Sequence, residues 1–105
     1  MKYARLCAAL LTLTLAPTAL AQPYRVVTEE WAPYNFQQDG EIVGIATEIV
    51  RAIMTRTGDS FALEILPSMR ASRELQQRPQ TIMFSMFRTA ERESLFKWVG
   101  PLLDE

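Results

Sequence analysis

The sequence has 105 residues, with 11 Lys and Arg against 12 Asp and Glu, no histidine and a single cysteine. The absence of histidine removes Ser-His-Asp and Cys-His nucleophiles, histidine general acid–base catalysis and ordinary zinc sites in one step. A slightly acidic chain also lacks the basic surface that a nucleic-acid partner requires.

The first residues read as an address. Lys2 and Arg5 form a positive start, residues 6–15 are a short apolar stretch, Pro17 breaks it, and Ala19-Leu20-Ala21 has the small-x-small pattern of a signal-peptidase site. Cleavage after Ala21 is expected, giving a chain that starts at Gln22. The apolar stretch is too short to span a bilayer comfortably. Cys7 precedes the apolar core and so cannot be a lipidated first residue. The mature chain then carries 9 basic and 12 acidic residues, a net charge of −3, and no cysteine. An exported chain of this kind has no disulfide framework. The remaining 84 of the 105 residues suffice for one small core.

Residues 24–28, Tyr-Arg-Val-Val-Thr, are rich in β-branched side chains and predict a first strand. A loop with three aromatics around a proline follows, Glu29-Glu30-Trp31-Ala32-Pro33-Tyr34-Asn35-Phe36. Gln38-Asp39-Gly40-Glu41 carries a hairpin-turn signal, and Ile42-Val43 is its returning arm. After Gly44 a helix is predicted over residues 45–57, its apolar stripe made by Ile45, Ile49, Ala52 and Ile53, with Gly58 ending it. Residues 61–66 predict a second strand, and residues 69–77 a second helix opened by Pro67 and Ser68 and closed by Pro79.

Residues 81–87 are the most apolar run of the mature chain, as expected of a strand covered on both faces. Thr89 is placed to cap a short helix over residues 90–95, and residues 96–99 predict a last strand ending at Gly100-Pro101. Strand, helix, strand, helix, strand is the pattern of an α/β sheet with crossover helices.

The run from Ser85 to Pro101 holds the most chemistry, because strand ends of this kind are where α/β proteins place ligand-binding side chains. Arg92 can hold a carboxylate through two parallel hydrogen bonds. The residues alone leave a second reading open, in which Arg88 and Arg92 are solvated charges paired with Glu91 and Glu93.

Three ordered blocks resemble one family. They are Trp31-Ala32-Pro33-Tyr34 with Asp39-Gly40-Glu41-Ile42-Val43-Gly44, then Pro67-Ser68-Met69-Arg70, then Thr89-Ala90-Glu91-Arg92 with Phe96-Lys97-Trp98-Val99-Gly100-Pro101. Together they resemble the bacterial periplasmic solute-binding proteins of family 3, the polar amino-acid type that serves ABC transporters. The resemblance implies an α/β fold of the periplasmic binding protein type II kind, here a partial first lobe with a mixed sheet flanked by helices. It implies a non-enzymatic, periplasmic receptor for a small polar solute such as an amino acid or related carboxylate, with an inner-membrane ABC permease as partner and no cofactor or metal.

By the same resemblance Trp31 is the aromatic that stacks on the ligand, with Tyr34 nearby, and Arg92 is the carboxylate clamp. Ser85 is the polar strand-end group, with the alternative that it is a small residue inside a buried strand. Trp31 could instead belong to the core. Arg70 and Arg73 are read as solvated rather than facing the cleft, and Glu29 or Glu30 could meet an ammonium group. The sequence departs from the family pattern at Gln80, where an acidic residue is usual, and at Ala46-Thr47-Glu48, where helix one usually begins with an aspartate.

The resemblance also implies a crossing to a second lobe after Leu103 and a later return. Neither piece is in the sequence, which is therefore expected to be a truncated or fragmentary part of a receptor. A lobe without its returning strand would leave unpaired backbone N–H and C=O groups. Two other outputs share the scaffold. One is a periplasmic enzyme, resembling dehydratases of cyclic amino acids or the regulatory domain of murein transglycosylases, which would have to use Glu29, Glu30 or Glu48. The other is the sensor domain of a membrane receptor.

Overall fold

The computed structural model describes residues 22–103. The expected signal peptide and its cleavage point lie outside the described residues. In chain order the elements are β1 (Tyr24–Thr28), β2 (Phe36–Gln38), β3 (Glu41–Val43), α1 (Ile45–Thr57), β4 (Phe61–Ile65), α2 (Ser68–Gln77), β5 (Thr81–Met83) and α3 (Ala90–Glu93). β4, β1 and β5 form a parallel sheet in that order, while β2 and β3 form a separate antiparallel hairpin. The parallel and antiparallel parts of the expected mixed sheet are thus two sheets.

β1 is central because its alternate residues serve two cores. Val26 is fully buried on one face with Ala46, Val50 and Met54 of α1 and with Phe84. Val27 points the other way and packs with Leu66, just after β4, and with Ala71 of α2. Successive strand residues face opposite sides, so α1 and α2 cover opposite faces of the sheet. Burial of each large apolar side chain contributes roughly 1.5–3 kcal/mol.

Four local expectations are corrected. The buried face of α1 is Ala46, Thr47, Val50 and Met54, not the stripe of Ile45, Ile49, Ala52 and Ile53; Ile45 is 56% and Ile53 44% exposed. The rotation is set at the start of the helix. No side chain caps α1; instead the Tyr34 carbonyl accepts the N–H groups of Ala46 (2.9 Å) and Thr47 (3.4 Å). That pins Ala46 toward the sheet and turns the isoleucines outward.

β5 is a short edge strand rather than a doubly covered one. It stops at Met83, and Ile82 is exposed; Phe84 still donates to the Val27 carbonyl, and Ser85 turns the chain with φ of 58°. α3 is one turn, and the Thr89 side chain makes no capping bond. Residues 96–99 form no strand, and Val99 is 94% exposed. Among the described residues β5 pairs with β1 alone and its other edge carries no strand.

The α3 turn is held instead by side chains. Arg88 makes a two-pronged ion pair with Glu93, its guanidinium lies 5.5 Å from the Trp98 ring centre, and the Trp98 Nε1–H donates to the Glu93 carbonyl at 3.2 Å. The hydrogen bond from Arg88 holds the Glu93 carboxyl below its ordinary value of 4.5 and raises the Arg88 guanidinium.

Two predictions follow from these local constraints. A methyl group on Gly44 (φ +116°) would fall 2.2 Å from the Tyr34 carbonyl oxygen. Gly44→Ala should therefore lose at least about 1–3 kcal/mol to backbone strain in urea unfolding; an unchanged midpoint would contradict this. Because the Glu93 value is lowered by folding, its pair stabilises the fold above pH 4.5 and ceases to as the pH falls through the lowered value. Glu93→Gln should lower the thermal midpoint at pH 7, with the gap from the parent closing in acid. A gap of undiminished size at about pH 3, below the ordinary glutamate range, would show that the pair is not its source.

Candidate functional site

The chain leaves β1 through α1 to reach β4 on one side, then passes through α2 to β5 on the other side of β1. Strand order reverses at β1, and open parallel sheets bind ligands in the crevice beyond the carboxyl ends of the strands at such a point. A cleft of about 680 Å³ lies there. Glu29 and Trp31 enter it from the end of β1, Ser85 and Phe87 from the end of β5, Arg73 from α2 and Arg92 from α3.

Buried polar bonds join the two strand ends. The Thr28 hydroxyl donates to the Phe84 carbonyl at 2.9 Å, and Asn35 Nδ2 donates to Thr28 Oγ1 at 3.1 Å and to the Glu29 carbonyl. Thr28 and Asn35 are fully buried. The loop between them is tight, since the Trp31 carbonyl accepts the N–H groups of both Tyr34 and Asn35 at 2.9 Å. The result is a rigid aromatic corner. Trp31 stands 40% exposed, with ring centres 5.0 Å from Tyr34 and 5.3 Å from Phe87.

Of the four residues expected in the site, Trp31, Ser85 and Arg92 line the cleft together. Tyr34 does not. It supports Trp31 and lines an adjoining cavity of about 510 Å³, which shares Trp31, Ser85, Met86 and Phe87 with the cleft. Ser85 is half-buried at the bend rather than inside a strand.

The two arginines separate cleanly. Arg88 takes the surface role through Glu93, whereas Arg92 makes no ion pair among the described residues. Arg92 Nη1 donates to the Phe87 carbonyl at 3.2 Å, which holds the guanidinium beside the aromatic wall. Arg73 is exposed, as expected, but lines the cleft; Arg70 is not part of its lining. Glu29 and Glu30 both line the cleft, and the Glu30 carboxylate also accepts the Gln37 N–H at 3.2 Å.

Phe87 is the most exposed aromatic among the lining residues that sequence reading missed, which also include Met69, Ser72, Gln76 and Met86. The signal was the apolar run over residues 81–87, whose last member proves 61% exposed once the strand stops early. The two departures from the family pattern lie away from the cleft. Gln80 is at the opposite end of the sheet, where its carbonyl accepts the Arg25 N–H, and the Thr47 hydroxyl donates to the Val43 carbonyl. Among the described residues no group of three or more His, Cys, Asp or Glu could hold a metal ion, and no helix is long and apolar enough to cross a membrane.

Chemically, an exposed indole, an uncommitted guanidinium and a strand-end serine suit a small solute bearing a carboxylate. Comparison with known proteins bears on the same region. No curated protein matches the sequence. The fold is similar to that in the crystal structure of Lactococcus lactis GlnP substrate binding domain 2 in open conformation, with a TM-score of 0.59 and 21% identity over 68% of this chain. The chain spans about a third of the length of that domain's chain, 32%. Residues 24–104 match the bacterial extracellular solute-binding proteins, family 3, a stretch that takes in both strand ends, the aromatic corner and Arg92. The chain belongs to the bacterial extracellular solute-binding proteins, family 3.

Proposed function

We propose that the chain is the first-lobe portion of a non-enzymatic receptor that captures a small carboxylate-bearing solute, such as an amino acid, and hands it to an inner-membrane ABC permease. The carrying observation is Arg92, which has no ion-pair partner among the described residues and lines a cleft with the exposed Trp31 ring and Ser85. Arg92 clamps the carboxylate, Trp31 provides the stacking face with Tyr34 behind it, and Ser85 offers a hydroxyl. Glu29 is placed to accept an ammonium group. Family membership supports a binding rather than a catalytic role. The similar fold of a GlnP substrate binding domain supports the type II arrangement, in which a second lobe closes over the solute.

Export to the periplasm after cleavage at Ala21 fits the positive, apolar and small-residue order of the first 21 residues.

Calorimetric titration of the full-length protein with amino acids and small organic acids tests the reading. Binding of at least one carboxylate is expected, and Arg92→Ala should weaken it by about 2–5 kcal/mol, as for a desolvated charge pair that loses one partner. An affinity unchanged by Arg92→Ala would remove the clamp.

A further inference from the structure

The cavity beside the cleft has no part in the reading above. It is lined by Tyr34, Trp98, Pro101 and Leu102 besides the wall of Trp31 and Phe87 that it shares with the cleft. Two physical facts bear on what could occupy it. First, the Trp31 and Phe87 rings touch, with centres 5.3 Å apart and planes tilted by 51°. At that separation the two rings are already in direct contact. No flat group can slip between them, so an apolar part of a solute must lie against an open face of the pair. Second, among the described residues the only polar anchor shared with the cleft is Ser85, and the remaining shared residues Trp31, Met86 and Phe87 are apolar. Arg92, held on the Phe87 carbonyl, lines the cleft and not the cavity, whose own cation, Arg88, is already paired with Glu93. A charged head and an apolar tail would thus be sorted to the two sides of one aromatic wall.

We propose that this cavity is the subsite for the solute's side chain, and that it selects carboxylates bearing an aromatic or bulky apolar group over short or polar ones. The inference rests on the carboxylate-binding role of Arg92. The head stays in the cleft on Arg92, and the ring passes the edge of Phe87 into the cavity, against Trp31 and Tyr34. Met86, shared by both spaces, is an unbranched and polarizable side chain that adapts to rings of different size and makes favourable sulfur–aromatic contacts. The exposure of Phe87, costly for a ring of no use to the fold, is accounted for in the same way.

The test compares 3-phenylpropionate with propionate, two probes with the same head and different tails, by calorimetric titration of the full-length protein and of its Phe87→Ser and Tyr34→Ser variants. Circular dichroism checks the fold of each variant. The parent should bind the phenyl compound about tenfold to a hundredfold more tightly, as burial of a ring predicts. Both variants should lose most of that preference. Equal binding of the two probes by the parent would overturn the subsite and leave the carboxylate clamp standing. A preference that survives in both variants would place the selecting surface elsewhere and overturn it as well. Failure of both probes, and of other carboxylates, would remove the clamp and the subsite together. If either variant unfolds, Leu103→Asp, which places a charge in the lining of the cavity, takes its place with the same expected loss of preference.

Discussion

The site depends on one buried hydrogen-bond relay. The Thr28 hydroxyl donates to the Phe84 carbonyl and accepts from the Asn35 amide. These bonds bind the carboxyl end of β1, the carboxyl end of β5 and the aromatic loop into one unit, beside a sheet of three strands among the described residues. Each carries a net value of about 0.5–1.5 kcal/mol, but leaving one of its buried groups unpaired costs more. Without the relay, Trp31 and Phe87 would be joined only through the β1–β5 backbone ladder, which ends at the Phe84 N–H to Val27 carbonyl bond. With it, the aromatic wall and the guanidinium anchored to Phe87 hold a fixed geometry.

A second constraint acts from the other side of the loop. The first N–H groups of α1 take the Tyr34 carbonyl as their cap, which only a glycine at position 44 permits. The helix end and the binding loop therefore stabilise each other. One bond pattern accounts for the rotation of α1, the burial of Ala46 beside the second cavity and the position of Tyr34 behind Trp31. Preorganisation of this kind lowers the ordering cost of binding a small solute.

Much of this was legible in the sequence where chemistry is local. Gly58 and Gly44 bounded α1 correctly, Asp39-Gly40 marked the hairpin, and the apolar runs located β1 and β4. Trp31, Ser85 and Arg92, expected from their place at the ends of elements and from the family pattern, line one cleft. What was hidden depended on distant contacts. The stripe of isoleucines on α1 has the better hydrophobic periodicity, but the Tyr34 carbonyl, ten residues before Gly44, decides which face turns inward. The apolar run over residues 81–87 looks like one buried strand, yet the left-handed backbone at Ser85 breaks it and frees Phe87 for the cleft. Equally, no spacing rule distinguishes Arg88 from Arg92. Only the folded turn shows that Glu93 takes the first and leaves the second to the cleft.

The central claim is that Arg92, and not another cation, meets the solute beside the Trp31 face. Isotope-resolved NMR of the guanidinium Nε–H and indole Nε1–H signals, followed during titration of the full-length protein with a bound carboxylate, tests it without substitution. The account predicts saturating shifts concentrated at Arg92 and Trp31, with Arg88 and Arg25 little changed because Glu93, Glu64 and Glu74 already hold them. Shifts confined to Arg73 or to the far-side arginines, with Arg92 and Trp31 unmoved, would contradict it.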